Sequence, residues 1–244
     1  MDTDSFTQAC NIVLNRQRLG TEGIGTLSEK TIHSVLKQYL SQDLRCQEIK
    51  IGPFFADVLV GHHIYEIQTR QFRHLRKKLD FFLPAYPVTV VYPISLHNRI
   101  RWIDPETGAI SEVGRSRKAG HVLQVFSELY QIRSVLSHPN FSLKLVLMDT
   151  EEYRLLDGRP GNRKQHATKC DKLPTALIAE YDLAVPADYM MLLPSSLPDT
   201  FTARELASCA GIPVSLAQTA LLLLSELNVV QRTGKQGNAY LYEL

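Results

Sequence analysis

A mixed α/β protein is expected from this chain: a core of helix, three strands, helix and strand, followed by a compact winged helix-turn-helix unit. Three features lead there. The segment TLSEKTIHSVLKQYL places Leu27, Ile32, Val35, Leu36, Tyr39 and Leu40 at helical spacing. Three short strand-like runs then lead into the helical RQFRHLRKKLDFFL and the continuous apolar run VTVVYPI. The chain closes on two helical stretches around Gly211-Ile212-Pro213 and two strand-like runs around TGKQGN.

Taken in order, residues 5–17 form a short amphipathic helix through Phe6, Cys10 and Val13, followed by the loop LGTEGIGT. Thr26-Leu27-Ser28-Glu29 opens the next helix as a capping box. The strands cover 46–51, 54–60 and 64–69, the last two joined by the tight Gly61-His62-His63 turn. The following helix buries Phe72, Leu75, Leu79 and Phe82 or Leu83, and the strand after it is bounded by Pro87 and Pro93. RIRWID and AISEV flank the Asp-Pro-Glu-Thr-Gly turn as a peripheral hairpin. HVLQVFSELYQIRSVLSH reads as one long helix with Val122, Val125, Phe126, Leu129, Ile132 and Leu136 inward, and FSLKLVLMD as a strand. DGRPGNRKQHATKCDK is polar, basic and punctuated by Gly and Pro, hence a loop. Four consecutive segments result: 1–23, 24–150, a basic loop and connecting segment over 151–196, and the winged helix over 197–244.

Composition excludes several classes. With 44% apolar and 21% charged residues in 244, the chain has the balance of a globular domain with a small appendage. No apolar stretch approaches the roughly 20 residues needed to cross a bilayer, and MDTDSFTQAC lacks a signal-peptide layout, so no membrane association and a cytoplasmic location are expected. Cys10, Cys46, Cys170 and Cys209 are scattered without zinc-finger spacing and read as reduced packing residues. No G-x-S-x-G elbow occurs, and GRPGNRK lacks the spacing of a phosphate-binding loop.

Chemistry concentrates in ADVLVGHHIYEIQTR. Asp57 and Glu66 are the only carboxylates of its two strands, and a buried acid is costly unless paired or metal-bound. If the hairpin closes at Gly61, both face one side; with the main-chain carbonyl of Ile67 they make a hard oxygen set suited to Mg²⁺ or Mn²⁺. Here the sequence resembles the PD-(D/E)xK nuclease superfamily, the restriction endonuclease-like fold, over roughly residues 24–95, through Glu29, Asp57 and Glu66-Ile67-Gln68 in the superfamily's element order. GTLSEKTIHSVLKQYL, YEIQTRQFRHLRKKL, VVYPI and GKQGNAYLY also look like a family of uncharacterised bacterial proteins with a nuclease-like core and a C-terminal winged helix. The resemblance implies a metal-dependent DNA endonuclease: Asp57 and Glu66 as ligands, Glu29 acting through water, and Gln68 positioning the nucleophile. Lysine is usual at position 68, and Lys77 or Lys78 can supply the missing ammonium from the next helix.

DNA is the expected partner. Arg70, Arg73, Arg76 and Lys77 form a cationic cluster after the candidate site, with further basic runs at 114–118 and 158–172. In the winged helix the second helix buries Leu216, Ala220, Leu223, Leu224 and Leu227 and leaves Ser215, Gln218, Leu221, Leu222 and Ser225 outward. Ser215 and Gln218 can reach base edges, and Arg232 and Lys235 phosphates. No Lys or Arg lies between Arg204 and Arg232, so outward Leu221 and Leu222 suit packing on the core or on a second subunit of a homodimer. Two alternatives stand beside the nuclease: a non-catalytic winged-helix DNA-binding regulator, and an interaction subunit of a defence or repair complex.

Overall fold

Helical periodicity early in the chain yields α1, Thr3–Leu19, and α2, Lys30–Leu40. Phe6, Ala9, Cys10 and Val13 of α1 and Ile32, Val35 and Leu36 of α2 are buried. Each side chain so buried contributes roughly 1.5–3 kcal/mol for the larger aliphatics and aromatics. In the computed structural model, the described residues are 1–19, 30–111, 114–115, 119–157 and 167–244. Glu29, residues 158–166 and most of the 114–118 run lie outside them.

The chain is mixed α/β, with one larger sheet of parallel and antiparallel pairs and one three-stranded sheet. It forms two units, each discontinuous in sequence. The first comprises Met1–Val60, Pro93–Gly120 and Val146–Glu180; the second comprises Gly61–Tyr92, His121–Leu145 and Tyr181–Leu244.

In the first unit, β1 (Gln47–Ile51) pairs antiparallel with β2 (Phe54–Val60), Ile49 facing Ala56. The distal part of β4 (Val88–Ile103) pairs with β5 (Gly114–Arg115). Pro93 marks a strand end in the sequence, but β4 continues through it. The last β3 partner of β4 is Val91, so the N–H that Pro93 lacks falls past that ladder. Further on, Leu156 N donates to Ile103 O (3.0 Å). The greater parts of β6 (Phe141–Leu155) and β7 (Thr168–Leu183) complete the strands of this unit. β7 corrects a second expectation, since the sequence of residues 168–183 suggests a loop and connecting segment. Their polar side chains are used in pairing: Asp171 accepts from Thr31 Oγ1 (3.0 Å), and Lys169 reaches Glu152 (3.5 Å).

In the second unit, β3 (His63–Ile67) runs parallel to β4, Ile64 opposite Val88 and Glu66 opposite Val90. A 3-10 turn, Phe72–Leu75, leads into α3, Arg76–Phe82, with Phe72, Leu75, Leu79, Phe82 and Leu83 buried as the spacing predicts. The expected long helix over 121–138 is broken. It consists of a 3-10 turn, α4 (Val125–Leu129) and a second 3-10 stretch, Tyr130–Val135, in which Ile132 leaves helical geometry at φ −122° and ψ 21°.

The C-terminal elements follow the expected order: β8 (Thr200–Thr202), α5 (Ala203–Ala210), α6 (Val214–Glu226), β9 (Gln231–Gln236) and β10 (Ala239–Glu243). The small sheet is ordered β8-β10-β9, and α5 and α6 meet at 115° across Gly211, whose φ is +64°. Thr202 and Glu205 form a capping box at α5. Helical spacing points Leu221 outward and Leu216 inward, yet Leu221 is fully buried and Leu216 only half-buried. α6 packs against both α5 and α4, so its buried arc takes in Ala217 and Leu221 as well. Among the described residues no single helix is long and apolar enough to cross a membrane.

Candidate functional site

On β3, Ile64, Glu66 and Ile67 are buried, and Glu66 retains only 1% exposure. An ionised carboxylate at that depth requires a counter-charge. Lys78 supplies one: its Nζ donates to Glu66 Oε2 at 2.5 Å, and the lysine is itself 19% exposed. Local sequence positions it there. Leu75 and Leu79 anchor the segment in the core, and Lys78 leaves the helix beside that apolar stripe. The start of the segment is held by side chains of α4 and of the 3-10 stretch that follows it. Phe72 N donates to Glu128 Oε2 (3.0 Å) and Arg73 N to Gln131 Oε1 (3.1 Å), satisfying N–H groups that a helical turn leaves open.

Gln68 is attached differently from expectation. Its backbone N donates to Val91 O (3.0 Å), and its side-chain Nε2 donates to the Arg70 carbonyl (2.5 Å). Lys77 is exposed, so of the two lysines that the sequence offers, Lys78 meets the buried carboxylate. Arg70, Arg73 and Arg76 are exposed along the same stretch, and the main chain of Ile67 belongs to a buried residue.

Asp57 belongs to the first unit. It is 14% exposed, and its Oδ2 lies 3.2 Å from His33 Nε2 on α2. His33 is absent from the residues that the sequence singles out. Its signal was available in the sequence, because His33 follows Glu29 by four residues in the stretch that reads as a helix. Glu29 itself falls outside the described residues.

As donors, Glu66, Asp57 and the Ile67 carbonyl are hard oxygens, the type Mg²⁺ and Mn²⁺ take. In the present geometry each carboxylate is held by a basic side chain of its own unit. Among the described residues no group of three or more His, Cys, Asp or Glu converges as a metal set.

The C-terminal candidates are placed as expected on surfaces, with one addition. Ser215 and Gln218 are exposed on α6. Arg232 and Lys235 lie on β9, and both cover Tyr240: the Arg232 guanidinium is 3.8 Å from the ring centroid and Lys235 Nζ is 5.0 Å from it. Cross-strand cation–π pairing of this kind is not legible from composition.

A protein of Treponema pallidum (strain Nichols), named "Uncharacterized protein", is 28% identical over 220 residues, covering 90% of this chain and 86% of that protein. No solved structure matches the chain significantly. Residues 30–184, which take in β1 to β7 and α2 to α4, match one family, and the chain belongs to that family, described as Domain of unknown function (DUF8091).

Proposed function

We propose that the chain is a metal-dependent DNA endonuclease of PD-(D/E)xK type, or a DNA-binding protein derived from one. The observation that carries this reading is the Lys78 ammonium on the buried Glu66 carboxylate. The resemblance expects an ammonium beside the carboxylate of the third strand, and here it comes from α3 because position 68 is glutamine. The parallel β3–β4 pair with a helix between them supports the same reading. Glu66 and the Ile67 carbonyl would hold Mg²⁺ or Mn²⁺. When bound, such an ion polarises a phosphoryl oxygen and lowers the pKa of a bound water. Lys78 would stabilise negative charge on the phosphate, and exposed Arg70, Arg73, Arg76 and Lys77 would neutralise flanking phosphates.

The test is cleavage of supercoiled, linear duplex and single-stranded DNA with Mg²⁺ and with Mn²⁺. Wild type should cut at least one form, and Glu66→Gln and Lys78→Met should each lose about 10²-fold or more, the usual cost of removing one group that stabilises transition-state charge. Absence of wild-type cleavage with either ion rejects the endonuclease.

A second reading, a non-catalytic DNA-binding regulator, is favoured by one observation. The Gln68 amide already donates to the Arg70 carbonyl, which leaves it poorly placed to orient a water. The β8-β10-β9 order with α5 and α6 supports a winged helix as the binding module. DNA binding by a wild type that does not cleave, unaltered in Glu66→Gln, selects this reading.

A further inference from the structure

The segment that carries Lys78 begins under backbone strain. Gln71, five residues after Glu66, holds a left-handed φ of 59° and ψ of 52°, which a non-glycine residue keeps only where its surroundings enforce it. Its side chain does not cap the turn that follows; Gln71 Oε1 lies 3.1 Å from His74 Nε2 instead. The cap comes from another part of the chain. Glu128 Oε2 accepts from Phe72 N at 3.0 Å and from Gln131 Nε2 at 3.0 Å, while Gln131 Oε1 accepts from Arg73 N at 3.1 Å. Two consecutive main-chain N–H groups are thus held by two side chains that also hold each other. All of these groups, with Glu66 and Lys78, belong to the second unit.

The turn Phe72–Leu75 runs directly into α3, so its first residues set the placement of those that follow. Buried Phe72, Leu75, Leu79 and Phe82 press the segment onto the core. Apolar contact is non-directional, however, and fixes neither the rotation nor the height of a helical segment. Hydrogen bonds at defined N–H groups fix both. Lys78 follows Arg73 by five residues and must bring its Nζ to 2.5 Å from Glu66 Oε2.

We propose that Glu128 and Gln131 are positioning residues for Lys78: their clamp on Phe72 and Arg73 places the ammonium on Glu66. The role in phosphate chemistry rests on the endonuclease reading, whereas the placement of Lys78 can be followed without metal, DNA or cleavage.

Reductive methylation of the full chain, followed by tandem mass spectrometry, reports Lys77 and Lys78 separately. In wild type exposed Lys77 should react about tenfold faster or more, because Lys78 must first leave a charge-assisted hydrogen bond. Glu128→Ala should bring the two rates together, and Gln131→Ala should shift them in the same direction. Glu128→Gln keeps an oxygen for Phe72 N and should preserve the difference. The control is Gly211→Ala, in the same unit, where an added Cβ meets nothing within 4 Å and only the backbone is strained. Compared at urea concentrations that leave equal folded fractions, it should keep the wild-type difference. An unchanged difference in Glu128→Ala overturns the proposal. Loss of the difference in Gly211→Ala as well shows a merely structural glutamate and overturns it too, and loss in Glu128→Gln overturns the hydrogen bond as the cause. In the cleavage assay Glu128→Ala should lower kcat about tenfold or more with little change in KM, and Glu128→Gln should restore it. Equalised lysines in a protein that never cuts DNA support the positioning role and reject only the endonuclease. Cleavage by wild type, with Lys78 still protected in Glu128→Ala, overturns the positioning role and leaves the endonuclease.

Discussion

Glu66 and Lys78 show how one ion pair between two side chains can serve both fold and site. Removing Lys78 leaves a carboxylate at 1% exposure without its ammonium. Lys78→Met should cost about 3–5 kcal/mol of stability in urea unfolding, and adding Glu66→Gln should recover much of it. Mn²⁺ should then raise the melting temperature of Lys78→Met more than that of wild type, because a cation binding only the folded state substitutes for the lost charge. Equal shifts in the two proteins would remove Glu66 as a metal ligand. Asp171 gives a pH-dependent case. Burial pushes its carboxyl above the ordinary 3.8, against the lowering effects of the Lys172 backbone N–H and the Thr31 hydroxyl. A group raised in the folded state contributes stability that is fully present below the unfolded value and lost as pH rises through the folded one. Asp171→Asn keeps an acceptor for Thr31 and cannot ionise. It should be more stable than wild type at neutral pH, with the difference shrinking as pH falls below 3.8; a gap that widens on acidification would contradict the assigned cause.

Among helices, strands and turns, backbone geometry decides more than composition. Two glycines show the contrast. A Cβ on Gly120 would lie 2.3 Å from the backbone oxygen of Ser95, and Gly120 N donates to that same oxygen at 3.0 Å. Neither atom can yield without displacing β4. At Gly211 the space around a Cβ is open, and only the left-handed φ of +64° opposes a side chain. Gly211→Ala should therefore cost about 1–2 kcal/mol, and Gly120→Ala distinctly more, compared by chemical denaturation. The break at Ile132 has the same origin. Apart from the half-buried Val122, the inward stripe that suggests a long helix is in fact buried, yet periodicity alone does not report a single residue leaving helical φ and ψ. β7 is hidden in the sequence for the opposite reason: its Lys and Asp residues read as loop, because the partners of Lys169, Asp171 and Asp182, which are Glu152, Thr31 and Lys144, lie far along the chain.

For the molecule as a whole, net charge is only +2, so the DNA binding proposed above would depend on where cations stand. Arg73, Arg76 and Lys77 are exposed on the segment after Glu66, whereas Arg232 and Lys235 are engaged with Tyr240 on their own hairpin. Alanine at Arg73, Arg76 and Lys77 together should lower the log–log salt slope of DNA binding by roughly one unit for each phosphate no longer neutralised, while alanine at Arg232 and Lys235 should change it little. A larger drop in the second variant would make the C-terminal hairpin the principal anchor and favour the regulator over the nuclease.

Local sequence suffices for the order of helices and strands from α2 to β4, the buried stripe of Phe72, Leu75, Leu79 and Phe82, and the two C-terminal helices with their closing hairpin. These follow from periodicity and turn residues within a few positions of one another, where local sterics and burial dominate. Folding in three dimensions is needed to settle which lysine meets Glu66, that His33 holds Asp57, that residues 168–183 form a strand, and that Leu221 is buried. Each of these depends on a partner brought close by folding, and a carboxylate or a leucine takes its role from the group it meets across that distance.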